Sequence, residues 1–69
     1  MAISYKKLWK LLIDKDMTAV ELRQATGIAP NTMTKLRKDE EVSLSVLVKI
    51  CTALSVNIGD IMDIVPEEQ

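Results

Sequence analysis

Near the start of the chain the apolar positions Tyr5, Leu8, Trp9 and Leu12 recur at i, i+3, i+4 and i+7, while Lys6, Lys10 and Asp14 fall on another side. That spacing lines one face of a helix and predicts a first amphipathic helix over about residues 4–15. Thr18-Ala-Val-Glu21 has the form of a capping box, in which the Thr hydroxyl and the Glu carboxylate each satisfy an exposed backbone N–H. A second helix is therefore expected from Thr18 to about Thr26, ended by Gly27 in the left-handed conformation. Pro30 suits the first turn of a third helix, running to about Lys38, with Met33 and Leu36 sharing an inward side with Ile28. Ser43 caps a fourth, whose expected inward stripe is Leu44, Leu47, Val48, Cys51 and Leu54. Asn57-Ile-Gly-Asp60 opens a short fifth helix, with Asn57 as cap and Asp60 near the positive end of the dipole. No run reads as a strand. The expectation is a compact all-α domain of five helices.

The joint Thr26-Gly-Ile-Ala29 is too short to let the third helix lie back along the second. Two short helices fixed at a steep angle by a turn containing Gly form a helix-turn-helix unit, here about residues 18–38, which offers its second helix to the major groove of DNA.

Length and composition remove most other functions. Sixty-nine residues are expected to form one domain, 1–69, with a single small core. One cysteine and no histidine give neither an internal disulfide nor a zinc ligand set, and no cofactor is expected. Cys51 then reads as a small buried hydrophobe with no histidine to activate it, and Trp9, beside Leu8 and Leu12, as core. Asp14 with Asp16, or Glu40 with Glu41, make carboxylate pairs without a pocket or a positioned partner, so no enzyme is expected. Lys10 interrupts the apolar LWKLLI run and no cleavage site follows, which argues against a signal peptide; nothing approaches a membrane span. A cytoplasmic protein is expected.

The formal charge of −1 hides an asymmetry. Residues 1–38 hold eight cations against three acids, net +5, whereas residues 39–69 hold Lys49 against seven acids, net −6. A basic half containing the helix-turn-helix points to an anionic partner.

Thr18, Leu22, the T-G-I of Thr26 to Ile28, N-T-M-T-K-L at 31–36 and the block VSLSVLVKICTALSVNIGDIM together resemble the lambda-repressor-like, Cro-type helix-turn-helix family, also called the xenobiotic-response-element family. The resemblance extends over roughly residues 4–64 and implies a five-helix DNA-binding domain of a transcriptional regulator, acting by occupancy of a palindromic operator, most simply as a repressor. It also implies base contacts at the positions matching Pro30, Asn31, Thr32 and Lys35. Their chemistry suits that role: Asn pairs bidentately with adenine, Lys donates to guanine, and Thr touches a thymine methyl or an acceptor. Thr18, Arg23, Arg37 and Lys38, with the backbone N–H groups opening the second helix, are candidates for phosphates. The chain departs from the family at Arg23, where a small residue is usual, at Asp39, where Gly often ends the third helix, and at Ala19, where a phosphate-binding Gln is common.

Val46, Ile50, Ile61, Met62, Ile64 and Val65 exceed what so small a core is expected to bury, and are the candidate surface for a two-fold homodimer. The competing expectation is a protein-binding module on the same fold, an antitoxin or anti-repressor, using Asp39, Glu40, Glu41, Asp60, Asp63, Glu67 and Glu68 against a basic partner.

Overall fold

The computed structural model describes residues 2–66; Glu67 and Glu68 lie outside the described residues. Its elements run β1 (Ala2–Ser4), α1 (Lys6–Asp14), α2 (Ala19–Thr26), α3 (Pro30–Arg37), α4 (Leu44–Leu54), one 3-10 turn (Ile58–Asp60) and β2 (Asp63–Val65). The first four helices form where expected, because their ends are written in local chemistry. Thr18 Oγ1 accepts from the Glu21 N–H at 3.1 Å and the Glu21 carboxylate accepts from the Thr18 N–H at 2.9 Å, closing the capping box. Gly27 ends α2 at φ 71°, its N–H donating to the Arg23 carbonyl at 2.8 Å. Pro30 opens α3, and Ser43 Oγ accepts the Val46 N–H at 3.3 Å.

Two expectations are corrected. The fifth helix is a single 3-10 turn, so the domain is mostly helical, with four α-helices. The Asp60 carboxylate does accept the Asn57 N–H, at 2.9 Å, but Ile61 then turns into the core and the β-branched pair Ile64-Val65 continues extended. The chain also contains strands: β1 and β2 pair antiparallel, with Ala2 opposite Val65, Ile3 opposite Ile64 and Ser4 opposite Asp63. Lys7 reinforces this closure, its Nζ lying 3.1 Å from an Asp63 carboxylate oxygen and donating to the Gly59 carbonyl at 3.1 Å.

One cluster makes the core: Tyr5 at the head of α1, Leu8 and Leu12 from α1, Leu22 from α2, Ile28, Met33 and Leu36 around α3, Leu47, Ile50 and Leu54 from α4, and Ile61. The inward face of α4 is thus turned toward Ile50 and away from Leu44 and Val48, which are 67% and 54% exposed. Ser45, Lys49 and Thr52, at i, i+4 and i+7, form the exposed stripe of α4, so Ile50 lies away from it and packs inward while Val48 stands beside it.

Candidate nucleic-acid interface

α3 is eight residues long, and its faces divide by helical period. Met33 and Leu36 point inward and are buried, which anchors the helix on the core. Opposite them, Asn31, Lys35 and Lys38 follow one another at i, i+4 and i+7 on the outer face, all exposed, with Thr32 half-buried at one margin and Pro30 exposed at the start. The outer face carries an amide and two ammonium groups and no carboxylate before Asp39. It presents hydrogen-bond donors and acceptors to whatever meets the helix broadside.

The flank of α3 facing α2 is different. Ala19, Val20 and Arg23 from the start of α2 and Pro30, Met33, Thr34 and Arg37 from α3 line a shallow cleft. Arg23 lies half-buried against these apolar neighbours, so its stem covers hydrophobic surface while its head is left to solvent. The large residue at this position is accommodated without separating α2 from α3, whose faces remain in contact. Thr18 is exposed at the head of α2; its oxygen is occupied by the cap and its hydroxyl hydrogen is still free to donate. Thr34 uses its own hydroxyl on the Pro30 carbonyl at 3.2 Å.

The chain after α3 is tied down. Asp39 takes the left-handed conformation, φ 57°, and its carboxylate accepts the Tyr5 N–H at 2.9 Å. The Tyr5 hydroxyl donates to the Glu40 carbonyl at 2.8 Å. Burial pushes the Tyr5 phenol above its ordinary pKa, and the carboxylates of Asp39 and Glu41 push the same way. α1 has no acidic residue of its own in its first turn, and Asp39 supplies the negative charge there. An Asp where a Gly would end the helix therefore serves a second element.

Trp9 is a partial correction. Its ring packs against the core but remains half-buried, and the Arg37 guanidinium carbon stands over it, 5.6 Å from the centroid. Sequence spacing holds no sign of this pairing, because the partners belong to different helices.

The expected dimer surface fares unevenly. Ile50 and Ile61 are each 0% exposed and belong to the protomer core, so neither is surface. Val46 and Met62 are half-buried against that core, while Ile64 and Val65 remain exposed. Further exposed apolar side chains outside that expected surface are Ile13, Val20, Leu44, Val48 and Ile58; the last three border a groove between α4 and the 3-10 turn with Cys51 and Val56.

Fold and face together define a small helix-turn-helix domain. A family model for the Cro/C1-type HTH DNA-binding domain matches residues 7–67, and the chain belongs to that family. Among solved structures, the transcriptional regulator VanUg (crystal form II) is similar over 96% of this chain and 88% of that one, at 53% identity and a TM-score of 0.92. No curated protein sequence matches it.

Proposed function

We propose that the chain is a sequence-specific regulator of transcription that inserts α3 into the major groove of double-stranded DNA and represses by occupying a palindromic operator as a homodimer. The observation that carries this reading is the division of α3: Met33 and Leu36 fix the helix on the core while Asn31 and Lys35 stand exposed on its outer face. Pro30, Asn31, Thr32 and Lys35 are assigned to base edges, and Thr18, Arg23, Arg37 and Lys38 to phosphates. Family membership and the likeness to a transcriptional regulator support the coarser reading of a DNA-binding regulator.

For the dimer, the exposed apolar residues Leu44, Val48 and Ile58 replace Ile50 and Ile61 as the contact surface, and Ile64 and Val65, exposed on β2, are retained as candidates. A two-fold axis there sets the two α3 helices about one DNA turn, roughly 34 Å, apart. The test is selection of bound sequences from random duplex DNA at near-physiological salt. An enriched palindrome is expected. No enrichment, with no duplex bound more tightly than ~10⁻⁴ M, would transfer the case to a basic protein partner and make Asp60 and Asp63 the next residues to mutate.

A further inference from the structure

We propose that Trp9 is a positioning residue for DNA binding: its indole holds the Arg37 guanidinium at the flank of α3, where a backbone phosphate would meet it. The proposal rests on the DNA-binding reading above. Arg37 is exposed at the end of α3, and among the described residues no carboxylate lies within ion-pair reach of it and no hydrogen bond engages its guanidinium. Its contact is instead with the Trp9 ring, at 5.6 Å. A cation over an indole face is attracted electrostatically, and because the ring offers no hydrogen-bond acceptor the guanidinium N–H groups stay available to a phosphate.

The ring is a firm support. Trp9 sits in mid-α1 and packs against the core beside the buried Leu8 and Leu12. Arg37 also borders the cleft it shares with Arg23, so two guanidiniums bound the same opening beside the start of α2. A long flexible side chain ordinarily loses rotamer freedom when it grips a phosphate; one already held by an aromatic ring loses less. Trp9 acts through Arg37 and touches no DNA itself.

The test uses the selected operator and the full chain, with affinity measured across a salt titration. Arg37→Ala is expected to lower the salt slope by about 0.9 per half-site. Trp9→Leu is expected to weaken binding about two- to fivefold per half-site, and to have no further effect when Arg37 is already Ala. Trp9→Phe, which keeps a ring, recovers part of the loss. Arg37→Lys keeps the charge and the salt slope but loses the guanidinium seated over the ring, and falls in affinity as Trp9→Leu does; it is a surface change and carries the test should Trp9→Leu fail to fold. Equal weakening by Trp9→Leu in both backgrounds would mean a structural effect only and would overturn the proposal. So would an Arg37→Ala protein with an unchanged salt slope. If the Arg37 variants behave as wild type while Asn31→Ala still relaxes sequence preference, the inference falls and the DNA-binding reading stands; if wild type binds no duplex, both fall.

Discussion

The Tyr5 N–H and the Asp39 carboxylate, 2.9 Å apart, join the start of α1 to the residue that ends α3. Two effects compete at Asp39. A left-handed φ costs an L-residue about 1–2 kcal/mol, less for Asp or Asn, while a hydrogen bond to a charged group contributes about 1.5–3 kcal/mol. The bond outweighs the strain. Asp39→Gly is therefore expected to destabilise by about 1 kcal/mol despite relieving the backbone, whereas Asp39→Asn, which keeps an acceptor and tolerates the conformation, stays closer to wild type. Urea unfolding of both variants checks the order; a more stable Gly variant would show that the strain dominates.

Bases and phosphates are separable by mutation. Asn31→Ala or Lys35→Ala is expected to cost about 1–3 kcal/mol per half-site on the preferred sequence and to relax preference at one or two positions. Lys38→Ala should weaken specific and scrambled duplexes nearly equally, with a flatter salt dependence. Unchanged preference in both Asn31→Ala and Lys35→Ala would remove α3 as the reader.

Surface and core on α4 give opposite phenotypes. Leu44→Asp and Val48→Asp, at exposed positions, are expected to leave the fold intact and yield monomers in sedimentation. Ile50→Asp places an unpaired charge in the core and should unfold the domain. Wild-type protein that sediments as a monomer both free and on operator DNA would refute the dimer.

Alkaline pH tests the Tyr5 clamp. Its phenol is held above the ordinary value of 10.0 in the folded protein, so the folded state binds the proton more tightly. The corresponding stability is fully present below pH 10 and is lost as pH rises through the folded value. Tyr5→Phe should be less stable by about 1 kcal/mol at neutral pH, having lost the bond to the Glu40 carbonyl, and should lack this alkaline component. Equal alkaline losses in both proteins would assign the effect to other groups.

Asp16, Asp39 and Ser55 all have positive φ without being glycine. Ser55, at φ 57°, follows α4 directly as its left-handed cap and is exposed. Ser55→Gly is expected to stabilise by about 0.5–1 kcal/mol, read as a rise in melting temperature; a fall would mean that the added freedom of the unfolded chain prevails.

What could be read from the sequence was local. The Thr18–Glu21 box, Gly27, Pro30 and Ser43 set helix ends through groups at most a few residues apart, and the outward placement of Asn31 and Lys35 followed from the buried phase of Met33 and Leu36. The buried phase of α4 was legible in its polar stripe, Ser45, Lys49 and Thr52 at i, i+4 and i+7, which sets Ile50 inward and leaves Val48 at the margin; an inward stripe drawn through Leu44 and Val48 overlooks it. Three-residue strands are too short for alternation to declare them. Tyr5 with Asp39, 34 residues apart, and Trp9 with Arg37 are meetings that the tertiary fold creates, with no trace in spacing.

The pairing of Ala2 with Val65 and of Ser4 with Asp63 has a mechanical consequence. A stretching force applied at residues 2 and 65 acts on the same end of the ribbon, so the rungs are loaded one after another rather than all at once. Under such tension the ladder parts first at Ala2–Val65, next at Ile3–Ile64 and then at Ser4–Asp63, where the Lys7 contact takes the strain before any helix does. Anchored by its ends, the molecule should yield like a zipper at low force, and the helical core should give way only afterwards.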